Sequence, residues 1–351
     1  MARALRLAER GLATTQPNPR VGCVIAHGDE VVGEGWHERA GEPHAEVFAL
    51  RAAAERARGA TAYVTLEPCA HFGRTPPCAD ALIAAGVARV VAACADPNPK
   101  VDGGGFARLR AAGIAVEVGL LAEAARELNR GFFARLERGR PWLRVKQALS
   151  LDGRTALANG ASQWISGTAA RADVQRWRAR SSAILTGSGT VLADDPRLTV
   201  RLAEGTAFVP PLRVVLDRTL RTPRGARVLD PGAPTLILHA PDAVRPAHFG
   251  DVEYRPIELR DGRLDLDAVL RLLAARGVNE VQVEAGPTLC GALADAGLVD
   301  EWLLYISPIF LGDRARPLLA LPPLDALAQA RRLRVIDRRA VGDDWRLLLR
   351  E

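Results

Sequence analysis

Short apolar runs alternate with amphipathic stretches along most of the chain. Leu5, Leu7 and Leu12 recur among charges over residues 2–13 and predict an amphipathic helix, which Gln16-Pro17-Asn18-Pro19 breaks. Two apolar runs, Val21 to Ala26 and Val31 to Trp36, flank His27-Gly28-Asp29-Glu30 and predict a hairpin. Pro43 to Arg58 has helical spacing, with proline near the start where a missing N–H costs nothing. Ala62 to Leu66 reads as a strand, Cys78 to Ala85 as a helix and Val87 to Ala95 as a buried strand. A further helix and strand reach Gly119, and one helix is expected from Leu120 to Leu136.

Gly139-Arg140-Pro141 reads as a boundary, after which the alternation restarts. Strands are expected at 142–149, 183–186, 212–216, 235–239, 281–284 and 302–306, and helices at 168–179, 266–275 and 288–296. Residues 200–212 and 218–234, rich in Pro, Arg and Gly, read as loops. This is the pattern of two α/β domains with layered sheets, over residues 1–140 and 141–351.

With 351 residues, 48% hydrophobic and 25% charged, the chain falls outside the disordered and fibrous classes. No apolar run approaches the length of a membrane span, and the charged start lacks a secretory block, so a soluble cytoplasmic protein is expected. The net charge of +6 divides into 18 basic against 16 acidic residues over 1–143 and 29 against 25 beyond. The signs are interspersed, so a nucleic-acid partner is not expected. Only Lys100 and Lys146 are lysine among the 47 basic residues, so any single arginine is weak evidence for a role.

Cys23, Cys69, Cys78 and Cys94 crowd into the first hundred residues, as do four of the six histidines. Metal chemistry therefore belongs to the first domain. His44-Ala45-Glu46 opens a predicted helix, and Glu67-Pro68-Cys69 follows a strand. After eight intervening residues Cys78 opens another helix. One imidazole and two thiolates leave a fourth tetrahedral position for water, the open arrangement of a catalytic zinc. Helix N-termini at His44 and Cys78 favour thiolate, and Glu46 stands where it can shuttle protons. A closed structural site would need a fourth ligand, for which His71 is the candidate. Cys23, Cys94 and Cys290 read as core residues.

The order His-x-Glu…Pro-Cys…Cys resembles that of zinc-dependent nucleobase deaminases, whose two cysteines are separated by two residues rather than eight. With Gln16-Pro17-Asn18-Pro19-Arg20-Val21-Gly22-Cys23-Val24-Ile25, the longer spacing resembles the deaminase half of the bifunctional riboflavin-biosynthesis deaminase/reductases, the RibD family. That resemblance implies a cytidine-deaminase-like three-layer domain, with Asn18, His37, His71 and Arg74 contacting a phosphoribosylated pyrimidine. Family members often carry lysine where Arg74 stands, so charge is kept while donor geometry differs.

The second domain lacks a Gly-x-Gly-x-x-Gly fingerprint, so an ordinary Rossmann site is not indicated. It offers two strand-to-helix crossings, Gly187-Ser188-Gly189-Thr190 and Val283-Glu284-Ala285-Gly286-Pro287-Thr288, of the kind that can cradle phosphate. Three segments resemble the reductase half of the same family: residues 144–154 around Lys146, Ser162-Gln163-Trp164-Ile165-Ser166, and Thr190 through Asp194 to Thr199. The resemblance implies a dihydrofolate-reductase-like fold using NADPH. Ala148, Trp164, Thr190, Asp194, Arg218, Gly286, Pro287 and Thr288 would line the cofactor site, Arg218 through its backbone. Ser162, Arg178, Leu198, Arg201 and Glu284 would face the substrate. Lys146 and Glu284 would flank the sugar carbon, and Arg178 and Arg201 would clamp a phosphate.

The implied function is deamination of 2,5-diamino-6-(5-phosphoribosylamino)pyrimidin-4(3H)-one by zinc-bound hydroxide, then reduction of the ribosyl group by NADPH, in a homo-oligomer. Three other readings compete: a nucleic-acid deaminase, which the dispersed charge disfavours, a zinc-stabilised scaffold, which the filled catalytic positions disfavour, and an enzyme with one domain active and the other impaired.

Overall fold

The computed structural model describes residues 1–70, 76–99, 101, 103–244 and 252–351. Its contacts divide the chain into two units, Met1–Gly139 and Arg140–Glu351.

The first unit opens with α1 (Ala2–Glu9) and the hairpin β1 (Gly22–His27) and β2 (Glu30–Trp36). There follow α2 (Ala45–Ala53), β3 (Thr61–Val64), α3 (Cys78–Ala84), β4 (Arg89–Ala92), α4 (Gly104–Ala111), β5 (Ala115–Val118), α5 (Ala122–Leu128) and α6 (Arg130–Arg138). The strands form one sheet in the order β2-β1-β3-β4-β5, antiparallel at the hairpin side and parallel from β3 to β5.

Alternation along β1 splits its side chains between two faces. Cys23 and Ile25 join a core with Ala45 and Ala49 of α2, Leu82 of α3 and Phe106 of α4. Val24 packs instead with Ala4 and Leu7 of α1, and Leu66 and Ala93 pack with Ala125 of α5 and Phe132 of α6. The result is three layers, with helices on both faces of the sheet.

The helix expected from Leu120 to Leu136 is in fact two, broken at Asn129. The Asn129 amide accepts from the Arg20 backbone N–H at 2.8 Å and donates to the Arg20 carbonyl at 2.9 Å. This buried two-way pairing draws Asn129 out of helical geometry. It also pins the segment that carries Asn18.

The second unit contains β6 (Trp142–Ser150), β7 (Arg154–Ala156), α7 (Thr168–Arg180), β8 (Ala183–Gly187), α8 (Ser188–Asp194), β9 (Leu212–Leu216), β10 (Thr235–His239) and β11 (Val252–Pro256). β12 (Leu259–Arg260) and β13 (Arg263–Leu264) make a small hairpin before α9 (Leu266–Ala275), β14 (Glu280–Val283), α10 (Pro287–Asp295) and β15 (Glu301–Ser307). β16 (Arg316–Pro317) pairs with β7, and the chain ends on β17 (Arg334–Val341) and β18 (Asp344–Arg350).

Nine strands form a sheet in the order β11-β10-β9-β8-β14-β6-β15-β18-β17. It is parallel from β11 to β15 and antiparallel at β18 and β17. Because β14 returns between β8 and β6, the strand order reverses there, where open α/β sheets bind ligands beyond their carboxyl ends. The closing hairpin β17–β18 and the short strands have no counterpart in the sequence pattern, whereas α8 starts at the expected Gly187-Ser188-Gly189-Thr190 crossing. β17 is exposed along its length apart from two half-buried positions, and so carries no apolar alternation.

Candidate active sites

Two glycines of β2 bring α2 against the sheet. A Cβ on Gly33 would lie 2.2 Å from the Ala49 carbonyl oxygen, and one on Gly35 2.7 Å from that of Ala45. His44 is the N-cap of α2 and Glu46 lies in its first turn.

Cys78 opens α3 opposite, and its backbone N–H donates to the Cys69 sulfur at 3.3 Å. His44 Nδ1 lies 3.3 Å from Cys78 Sγ and 3.6 Å from Cys69 Sγ, and all three donor atoms fall within 4.8 Å of one another. Zinc bonds of about 2.0–2.3 Å in tetrahedral geometry place such atoms roughly 3.5 Å apart, so the set fits that ion.

Hydrogen bonds from the Cys78 thiol and from His44 outweigh burial and hold Cys69 down at about 4, while its bond to Cys69 and burial push Cys78 up. Glu46 is buried, one carboxylate oxygen has no partner among the described residues, and burial raises its pKa despite the nearby His44. A carboxyl of this kind suits proton transfer at neutral pH.

His37 is buried, and its ring meets that of His44 edge-on at 5.3 Å. Its Nδ1 lies 3.1 Å from the Pro43 carbonyl and its Nε2 3.1 Å from the Asn18 side-chain nitrogen. The ring therefore donates from Nδ1 and accepts at Nε2, the neutral form, which burial also favours by lowering its pKa. Asn18 and His37 thus join the cluster. His71 and Arg74 lie outside the described residues.

The remaining cysteines, Cys23, Cys94 and Cys290, are buried, and burial holds Cys94 and Cys290 up at about 12, as inert core thiols.

In the second unit, Arg178 of α7 grips Glu284 at the end of β14 through two bonds of 2.7 and 2.8 Å, and donates to the Thr199 carbonyl at 2.9 Å. Gln282 adds a bond of 2.8 Å to the same carboxylate. Burial would raise the Glu284 pKa, but the guanidinium prevails and holds it at about 2. Burial and the Arg178 charge lower Lys146, against the pull of Glu284. The expected phosphate clamp is therefore changed: Arg178 holds Glu284, and Arg201 is the exposed cation of the two.

Leu198 is also altered from expectation. Its side chain is packed in a core with Ile184, Val191 and Val215, which leaves only its backbone to face a ligand. The Arg218 side chain turns to the Gly262 carbonyl at 2.5 Å. Trp164 is exposed beneath the Arg171 guanidinium, and Ser162, Ala148, Thr190 and Asp194 are half-buried.

Gly189 and Gly286 have open space where a Cβ would stand, each at the crossing from a parallel strand to a helix. Thr186 ties the two crossings together by donating to the Glu284 carbonyl at 2.7 Å. Exposed Gly286 caps α10, with Pro287 and Thr288 in its first turn, so backbone N–H groups can meet a dinucleotide phosphate there.

Residues 141–347 match the RibD C-terminal domain family, and residues 1–94 match the cytidine and deoxycytidylate deaminase zinc-binding region. The riboflavin biosynthesis protein RibD of Escherichia coli K12 is 53% identical over 98% of this chain and 96% of its own. The chain belongs to the RibD family. The Acinetobacter baumannii RibD structure superposes with a TM-score of 0.92 at 45% identity, covering 99% of this chain and 97% of that one. A Thermotoga maritima structure described as a diaminohydroxyphosphoribosylaminopyrimidine deaminase/5-amino-6-(5-phosphoribosylamino)uracil reductase gives 0.88 at 34% identity, covering 100% and 97%. As a RibD chain it is a bifunctional deaminase and reductase of riboflavin biosynthesis, with a cytidine-deaminase-like and a dihydrofolate-reductase-like half, using zinc in the first and NADPH in the second. No helix among the described residues is long and apolar enough to cross a membrane.

Neither Glu67 nor Gln282 stands out in the sequence as a functional residue. Glu67 stands directly before Pro68-Cys69, but nothing local shows what its carboxylate meets.

Proposed function

We propose that the first unit, as residues 1–140, removes the 2-amino group of 2,5-diamino-6-(5-phosphoribosylamino)pyrimidin-4(3H)-one. The observation that carries this reading is the buried Glu46 oxygen, without a partner among the described residues, beside the His44–Cys69–Cys78 cluster. Zinc held by those three residues would supply a hydroxide nucleophile at neutral pH. Glu46 takes the proton from the attacking water and returns it to the departing nitrogen: a C2–O bond forms, the C2–N bond breaks, and ammonia leaves. His37 fixes the Asn18 amide through its nitrogen, leaving the amide oxygen as an acceptor for a base N–H. His71 and Arg74 contact the base or its phosphoribosyl arm in this reading.

In the second unit, residues 141–351, NADPH would supply the hydride that reduces ribosyl C1′. Ala148, Trp164, Thr190, Asp194, the Arg218 backbone and Gly286-Pro287-Thr288 bind that cofactor in this reading. Lys146 and Glu284 flank the sugar carbon, with Arg178 orienting Glu284. Ser162, the Leu198 backbone and exposed Arg201 hold the rest of the substrate. Nucleic acid has no part in this reading. The long edge strand β17, with Val335 and neighbouring Trp345 exposed, supports association with a second copy in the cytoplasm. A sedimentation shift on Trp345→Glu would check that contact.

The deciding test feeds the diaminopyrimidinone phosphate to metal-replete protein, follows ammonia without NADPH, then adds NADPH. Ammonia first and NADPH oxidation second is the expected order. NADPH oxidation before any ammonia release would overturn it.

A further inference from the structure

The Glu67 carboxylate, two residues before Cys69, is buried and accepts four backbone N–H groups. They come from Asp96 at 3.3 Å, Gly103 at 3.2 Å, Gly105 at 3.0 Å and Phe106 at 3.3 Å. All four donors lie in the segment that leads into and opens α4. Glycine at 105 permits the approach: a Cβ there would stand 1.8 Å from the Pro68 carbonyl oxygen and 3.2 Å from Glu67 Oε1.

One turn along the same helix, Arg108 donates to the Ala70 carbonyl at 3.1 Å and pairs with Asp80 at 2.6 Å. Ala70 follows Cys69, and Asp80 lies two residues past Cys78. Helix α4 therefore holds the chain on both sides of Cys69 and just beyond Cys78, although α4 itself provides none of the three ligands.

We propose that Glu67 and Arg108 are positioning residues that fix the separation of the two zinc-binding sulfurs. Glu67 anchors the backbone of Pro68-Cys69 to the start of α4, and Arg108 clips Ala70 to the Cys78 side. Two thiolates at van der Waals range repel one another, so a metal site made from them needs a backbone that cannot splay. Glutamine at 67 would offer one acceptor oxygen in place of two and turn an NH2 group toward backbone donors, leaving some of them unsatisfied. The inference rests on His44, Cys69 and Cys78 being the zinc ligands.

The test uses full-length, zinc-loaded protein and its cobalt-substituted form. In Glu67→Gln, zinc should pass to a colorimetric chelator roughly 10–100-fold faster, the usual scale for losing a partner that orients a ligand. The visible cobalt bands should shift, and kcat for ammonia release should fall while KM holds. NADPH oxidation on pre-deaminated intermediate should be unchanged, which separates this effect from general unfolding. Parental zinc release and an unshifted cobalt spectrum would overturn the proposal.

Should Glu67→Gln fail to fold, Arg108→Met decides, because that side chain is 44% exposed and its loss is tolerable. Faster zinc release in this variant is the expected result, and the parental rate overturns the proposal. Failure of the parent protein to bind zinc would sink the ligand assignment itself, a result distinct from a zinc-loaded parent matched by its variants.

Discussion

At the scale of single residues the proposed chemistry turns on buried Glu46 and half-buried Lys146. Glu46 has a raised pKa because burial disfavours its anion, and its free oxygen faces no competing donor among the described residues. Replacement by glutamine keeps the shape and removes the proton carrier. Ammonia release should fall by about 10²–10⁴-fold, the scale of general acid–base catalysis, with zinc content and NADPH oxidation unchanged. Lys146 works in the opposite sense: burial lowers its pKa, so its positive charge is lost as pH rises through a value below that of an ordinary lysine. A reductase that needs this ammonium should lose rate on the alkaline side earlier than a free lysine would dictate. Lys146→Arg should remove that limb from the pH profile of NADPH oxidation; an unmoved limb would exclude Lys146 as its source. Glu284, held at about 2 by Arg178, stays ionised across the working range and contributes no limb there.

Close backbone packing carries the sites at the scale of elements. Helix α2 approaches β2 only because Gly33 and Gly35 have no side chains, and that approach sets the depth of His44 and Glu46. Gly35→Val would drive new carbons against Phe48 Cβ, already 2.4 Å from an added Cβ, and against the Ala45 carbonyl. Overpacking of this kind costs about 1–3 kcal/mol or more. The urea midpoint of the first unit should drop and zinc should dissociate faster, while NADPH binding persists. The same scale explains where sequence periodicity misleads. Leu120 to Leu136 has helical spacing throughout, yet Asn129 exchanges two hydrogen bonds with the Arg20 backbone, 109 residues away, and the helix divides. The hairpin β17–β18 gives no signal because its outer strand is exposed on both faces.

The residues proposed for each site all belong to one unit, so the two activities should separate across the whole molecule. Chelation of zinc should stop ammonia release and leave NADPH oxidation on pre-deaminated intermediate intact; joint loss would contradict independent sites. His44, Glu46, Cys69 and Cys78 are legible in the sequence alone, because metal ligation restricts residue types severely and their order along the chain matches the predicted helices and strands. Most of the strands and helices are legible too, since a buried face imposes its period on the sequence. Three things are settled only by the folded chain: the pairing of Arg178 with Glu284, the withdrawal of Leu198 into the core, and the reach of Glu67 to α4. In an arginine-rich chain, side-chain identity cannot say which of many carboxylates a guanidinium meets, and a carboxylate bound by backbone N–H groups leaves no complementary residue to read. Residue types fixed the chemistry this protein can perform, and long-range packing fixed where each group stands, because hydrogen-bond partners many residues apart are chosen by the fold and not by local sequence.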